Sequence, residues 1–225
     1  MLYNETAVKA NIRNRDGKRI FYLAHGDQLT SGAKDFLSRE RIAIVPAEQA
    51  RPERYRLVNG GFMEEKPEHM THLNGDLLVD KLHPRIAFRG AIDELEAQLL
   101  LCQKDAQGQL KKDLGDILDF VRELIRCDVL EEPAKREKLC GLTRDQLRQH
   151  SHRPQEFYGK PHFMPGCEDG EMVLKLNLCR CVARRTELAA VAAFRDAEGN
   201  PTRVDILQAM NRVSSMLYIL MIREK

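Results

Sequence analysis

Beyond Pro84 the chain repeats aliphatic residues at the spacing of an α-helix, stretch after stretch, and this repeat constrains the fold more than any other feature. Ile86, Ile92, Leu95, Leu99 and Leu100 recur at helical spacing behind Pro84, a residue suited to a first helical turn. Leu110 through Val129 carries Leu114, Ile117, Leu118, Val121, Leu124 and Ile125 as a second amphipathic stretch. Thr143-x-x-Gln146 has the form of a capping box and predicts a short helix that stops by Pro154. Glu171 to Phe194 and Val204 to Arg223 predict two more long helices around the turn Ala197-Glu198-Gly199-Asn200-Pro201. Four or five helices with short connections predict a mainly α fold, an antiparallel bundle.

The composition agrees. With 43% hydrophobic residues, only 6% aromatic, no Trp and 31% charged, the chain suits an aliphatic helical core rather than a sandwich of aromatic-rich strands. Thirty-six Lys plus Arg against thirty-four Asp plus Glu leave a net charge of +2, too balanced for nucleic-acid binding by bulk charge, so any anion recognition must be local. No apolar run approaches the roughly 18 residues of a membrane span. Cysteines at 102, 127, 140, 167, 179 and 181 form no Cys-x-x-Cys pair, and no signal-peptide pattern precedes them, so they read as reduced cytosolic thiols. Cys179 and Cys181 fall on different faces of a helix and make a poor chelate.

The first sixty residues differ in style. A hairpin turn around Asp16-Gly17, a strand over Arg19 to Ala24, a helix over Thr30 to Ser38 and a strand over Arg41 to Val45 predict a small α/β module across 1–60, with the bundle occupying 61–225. Pro46 to Glu68, rich in Arg, Glu, Pro and Gly, reads as a linker or mobile loop.

Chemistry-bearing residues punctuate the helical region. Arg180 and Arg184 are four apart and Glu187 follows three later, which puts two guanidiniums on one helical stripe. Like charges so placed repel unless they meet an anion or simply face solvent with a Glu187 salt bridge, and both readings stand. Thr71-His72-Leu73-Asn74-Gly75-Asp76 is either an ordinary turn or a phosphate loop in which Asp76 holds a hydrated magnesium. Lys81 and Arg85 supply two cations just behind it, and read either as phosphate contacts or as exposed bases. Arg89, Asp93 and Glu96 share a stripe, so Asp93 pairs either with Arg89 or with a helix carrying Arg180. Asn211 and Ser214 make a polar notch on an apolar helix, and the loop Tyr158 to Gly166 displays His162, Phe163 and Met164 between prolines and glycines. No Ser-His-Asp or Cys-His arrangement suggests a protein nucleophile.

Taken in order, these strings resemble the cobalamin adenosyltransferases, in particular the ethanolamine-utilization type, whose bundle is similar to that of the propanediol-utilization type. The resemblance rests on Thr71 to Asp76, Lys81-x-x-Pro84-Arg85, Gly90-x-Ile92-Asp93-Glu94-Leu95, Phe163-x-Pro165-Gly166, Arg180-x-x-x-Arg184-Arg185-x-Glu187 and Asn211-Arg212-x-Ser214, and it spans about residues 69 to 223. Asp205 to Arg212 and Leu29 to Lys34 look closest to the ethanolamine branch. The resemblance implies transfer of the adenosyl group from ATP to reduced cobalamin. It implies that Thr71, Asn74, Gly75, Asp76 and Lys81 hold the phosphates with magnesium, that Arg184 and Asn211 contact ATP, and that Arg185, Glu187 and Arg212 lie nearby. Asp93 and Arg180 resemble a pair that meets across a subunit boundary, which implies a homotrimer with sites between protomers. Phe163 sits where the family displaces the lower axial ligand of cobalt. Further implications are a reductase and ethanolamine ammonia-lyase as partners, and a cytoplasmic location or one within a bacterial microcompartment.

Two departures matter. Residues 46–70 contain no Cys, so the zinc or iron site of some ethanolamine-branch members is not expected, and His69 and His72 are left without a role. Thr71-His72 also replaces the Thr-Lys of the propanediol type, and removes one phosphate contact. Two other classes of answer stay open on sequence grounds: a non-catalytic assembly protein, and corrinoid delivery without chemistry.

Overall fold

Two units divide the chain, Met1–Arg54 and Tyr55–Lys225. A computed structural model describes residues 1–15, 18–49 and 55–225.

In the first unit, β1 (Leu2–Tyr3), α1 (Glu5–Ala10), β2 (Arg13–Arg15), β3 (Lys18–Leu23), β4 (Gln28–Leu29), α2 (Ser31–Arg39) and β5 (Ala43–Pro46) follow one another. β3 is central in a three-stranded sheet, antiparallel to β2 and parallel to β5. A parallel neighbour requires a crossover, which α2 provides. The Thr30 hydroxyl caps α2 by accepting from the Ala33 N–H at 3.3 Å, as its sequence position predicts. Arg15 pairs with Lys18, whereas the Asp16-Gly17 turn lies outside the described residues. The core here is thin: Val8, Phe21, Ala33, Phe36, Leu37 and Ile42.

The second unit opens with β6 (Tyr55–Leu57), β7 (Phe62–Met63), β8 (Met70–Asn74) and β9 (Leu77–Asp80), a four-stranded sheet in the order β7-β6-β9-β8. This corrects the reading of 46–68 as a linker. Tyr55 to Leu57 is a strand because Arg56 and Leu57 pair with Leu77 and Leu78, twenty residues ahead; residues 50–54 lie outside the described set.

The helices are α3 (Pro84–Asp105), α4 (Gly108–Val129), α5 (Arg144–His152), α6 (Pro154–Tyr158), α7 (Glu171–Ala193) and α8 (Val204–Glu224), with β10 (Lys138–Leu139) and β11 (Leu142–Thr143) forming a hairpin before α5. Pro84 occupies the first turn of α3 while His83 Nδ1 accepts from the Arg85 N–H at 3.2 Å. The capping box of Thr143 and Gln146 is complete. Helices α3, α4, α8 and α7 form a closed ring of neighbours. Each neighbouring pair is antiparallel: Glu96 meets Arg122, Asp113 meets Arg223, Asn211 meets Glu187, and Thr186 donates to the Ala91 carbonyl. α4 and α7 are therefore diagonal and parallel, which is why the connection between them is long and carries α5 and α6.

The predicted core positions Ile92, Leu95, Leu99, Leu114, Ile117, Val121 and Leu124 are all buried. Leu100 is a correction. It turns outward with Leu101, 45% and 60% exposed, because Leu99 already takes the core-facing place on that turn. Asp128 is fully buried and receives Arg85 Nε at 2.8 Å and Arg89 Nε at 2.7 Å. Breaking such a buried network typically costs about 3–5 kcal/mol, so the arginines tie the start of α3 to the end of α4.

Candidate active site

The α7 stripe does not act as one unit. Arg180, half-buried, donates from Nη2 and Nε to Asn177 Oδ1 at 2.9 and 3.2 Å. Arg184 is exposed and makes neither hydrogen bond nor ion pair among the described residues. Arg185 pairs with Glu94 of α3. Glu187 turns away from the arginines and accepts from Asn211 Nδ2 on α8 at 3.1 Å. The predicted Glu187 salt bridge to an α7 arginine is thus replaced by a bond between helices.

That bond lies at a groove of about 360 Å³ walled by α5 and α8. Glu187, Asn211 and Arg212, all nominated by sequence, line it together with Arg144, Arg148 and His152 of α5, which were not. Their signal was present: three basic positions at i, i+4 and i+8 directly behind a capping box share one helix face. Arg212 donates from Nη1 to the Arg136 carbonyl at 3.3 Å, while its Nε is buried with no hydrogen-bond partner among the described residues. Burial, then the nearby Arg144, pull its pKa below the usual guanidinium value. Ser214 does not complete the predicted notch, because its hydroxyl donates to the Asn211 carbonyl of its own helix at 3.0 Å.

The Phe163 loop is tied to the α5 wall of this groove. His162 Nε2 donates to the His152 carbonyl at 3.2 Å, so its Nδ1 is the acceptor for the Tyr218 hydroxyl at 2.9 Å. The Phe163 N–H donates to the same hydroxyl at 3.4 Å. The Phe163 ring packs against the bundle core and stacks on Tyr218 with centroids 6.4 Å apart. Both ring nitrogens of His162 are occupied.

A second cluster forms at the β8–β9 hairpin. Thr71 and Asn74 lie in β8, and Gly75 and Asp76 form the turn, with Gly75 at φ +50°. Asp76 accepts from Arg56 Nε at 3.0 Å on both carboxylate oxygens and from Nη2 at 2.9 Å, and this guanidinium holds its pKa below the usual carboxylate range. Asn74 Nδ2 donates to Glu131 Oε1 at 3.0 Å, and His72 Nδ1 donates to the Gly75 carbonyl at 2.9 Å. Lys81 is exposed with no ion pair among the described residues.

Three expectations are corrected here. Arg85 is neither a free phosphate grip nor an exposed base, since its fork is committed to the buried Asp128 carboxylate and carbonyl. Arg89 pairs with Asp128 and not with Asp93, and Asp93 stays exposed on α3 without an ion pair among the described residues. Glu96 of the same stripe pairs with Arg122 of α4. Among the described residues no group of three or more His, Cys, Asp and Glu side chains is placed to hold a metal ion.

Residues 62–224 match the family described as Cobalamin adenosyltransferase, a span that includes the hairpin, the groove and every nominated residue. The chain belongs to the cobalamin adenosyltransferase family. It is 34% identical over 97% of its length to the corrinoid adenosyltransferase EutT of Escherichia coli K12, covering 90% of that protein, and 29% identical to the EutT of Salmonella typhimurium with the same coverage. Matches of that extent take in most of the first unit as well as the bundle. A PduO-type ATP:corrinoid adenosyltransferase from Lactobacillus reuteri, a variant solved with ATP, shares the fold at a TM-score of 0.51 with 18% identity, over 69% of this chain and 88% of that one.

Proposed function

We propose that this chain transfers the 5′-deoxyadenosyl group of ATP to reduced cobalamin. The electron pair of cob(I)alamin forms the cobalt–carbon bond at the ribose 5′ carbon, and the bond from that carbon to the triphosphate oxygen breaks, leaving tripolyphosphate with its electrons. The protein's work is placement and charge stabilisation. The observation that carries this reading is that Glu187, Asn211 and Arg212 line one groove, and the Phe163 loop is fastened to its wall through His152.

On this reading Asn211 and Arg184 hold ATP, with Arg185, Glu187 and Arg212 beside them, and Thr71, Asn74, Gly75 and Lys81 receive the phosphates. Magnesium arrives with the nucleotide. The Asp76 carboxylate, paired with the Arg56 guanidinium, is not free to bind the ion in this arrangement, and no step is routed through the ion. Phe163 presents an apolar ring where the lower axial ligand would otherwise return, and His162 is restrained from replacing it.

On this reading the complete site joins the hairpin of one subunit to the groove of another in a homotrimer, as the family resemblance of Asp93 and Arg180 implies. Two features support this. Asp93 and Arg184 face outward without ion pairs among the described residues, and α7 exposes Leu174, Leu178, Leu188 and Val191 on both sides of Arg184 and Arg185 while α3 exposes Leu100 and Leu101. Large aliphatic residues exposed beside charged ones are typical of a surface that meets a partner. The resemblance to the ethanolamine-utilization type favours supply of adenosylcobalamin to ethanolamine ammonia-lyase, with a separate reductase providing the electron. Anaerobic incubation of the purified protein with magnesium-ATP and chemically reduced cobalamin tests the activity: loss of cob(I)alamin absorbance with gain of a light-sensitive product is expected, and binding of cobalamin without turnover would reduce the role to corrinoid delivery.

A further inference from the structure

We propose that Arg144 and Arg148 of α5 form, with Arg212 of α8, a subsite for a phosphate group of one of the two substrates. The inference rests on the adenosyltransferase reading for what the substrates are, but the site itself is argued from charge and geometry.

Three guanidiniums and His152 face the groove, and the single carboxylate among them, Glu187, is already engaged by Asn211. Arg144 donates from Nη1 only to the neutral Gln208 side chain at 3.2 Å, and Arg148 has no ion pair among the described residues. Arg144 lies close enough to Arg212 to lower its pKa, and the Arg212 Nε is buried without a hydrogen-bond partner among the described residues. Three guanidiniums gathered on one groove with no free carboxylate among its lining residues favour an anion there, and a phosphate accepts from several guanidinium forks at once. The helix that carries them is anchored, since Thr143 and Gln146 cap α5 reciprocally and Leu147, between the two arginines, is buried, while Arg144 and Arg148 themselves are exposed and open to a ligand.

Two phosphates of the substrates have the chemistry for this subsite: the triphosphate of ATP, and the phosphodiester of the nucleotide loop of cobalamin. Binding of cobalamin, of cobinamide, which lacks that loop, and of inorganic tripolyphosphate is measured for the wild type and for a variant carrying Arg144→Gln and Arg148→Gln, with anaerobic turnover on the same preparations. The dissociation constant of the responsive ligand is expected to rise about tenfold. A rise for cobalamin but not cobinamide supports the subsite and assigns it to the nucleotide loop. A rise for tripolyphosphate, equal with either corrinoid, supports it and assigns it to the triphosphate. Lysines at both positions recover part of the affinity. Unchanged constants for all three ligands, or a loss matched by a fall in melting temperature, would overturn the subsite while wild-type turnover left the adenosyltransferase reading intact. Wild-type inactivity with a phosphate-dependent affinity change would do the reverse.

Discussion

Arg184 holds nothing in the fold, so its replacement separates chemistry from stability. An exposed side chain without partners changes stability by less than about 0.5 kcal/mol when truncated. Arg184→Ala is therefore expected to melt with the wild type while turnover falls about a hundredfold, as losing one donor to developing charge commonly costs. Equal losses in both would remove Arg184 from the site. His83 makes a prediction of the opposite kind. Its Nδ1 must be unprotonated to cap α3, and burial followed by the Arg85 and Arg89 charges holds its pKa below the usual value. A histidine with a depressed folded pKa contributes stability that is fully present above about pH 6.5 and is lost as pH falls through the lowered value. Between pH 7.5 and 5.5 the wild type is expected to lose more melting temperature than His83→Ser, which keeps a cap that does not titrate. At this scale the sequence identified the residue types and their spacing but not their partners. Arg85 and Arg89 looked available until Asp128, some forty positions on, proved to claim both. Asp76 likewise belongs to Arg56, in a stretch read as a linker.

At the scale of elements, the long helices were legible because each buries one aliphatic stripe, and Pro84 and Thr143 mark where two of the helices begin. β6 and β7 were not, because strands of three and two residues carry too little alternation to register, and β6 is defined by a parallel partner twenty residues away. The basic face of α5 was visible as spacing but had no meaning until α8 stood opposite it. Helix α7 is the element with most left to explain, since the side away from its own bundle exposes leucines on both sides of Arg184 and Arg185, with Leu178 50% and Leu188 71% exposed. If the protein assembles as the proposed trimer, Leu178→Asp with Leu188→Asp should shift it to monomer by sedimentation, with the far-ultraviolet dichroism of the helices retained. A trimer unaffected by both charges would place the interface elsewhere.

Across the second unit, the four-helix ring carries the nominated residues in two clusters, the hairpin with Lys81 and the α7–α8 region with Arg184 and Asn211. Sequence order could list both clusters but could not show that one chain leaves them without a shared bond. The central claim is that adenosyl transfer takes place where the hairpin of one subunit meets the groove of the next. Co-expression of Lys81→Ala chains with Arg184→Ala chains tests it most directly, by anaerobic turnover of cob(I)alamin with magnesium-ATP. Each variant alone should be nearly inactive, whereas the co-expressed protein as a whole should regain about a quarter of wild-type turnover, the share of all interfaces in which both contributions are intact. Co-expressed chains no more active than either variant alone would contradict a site shared between subunits.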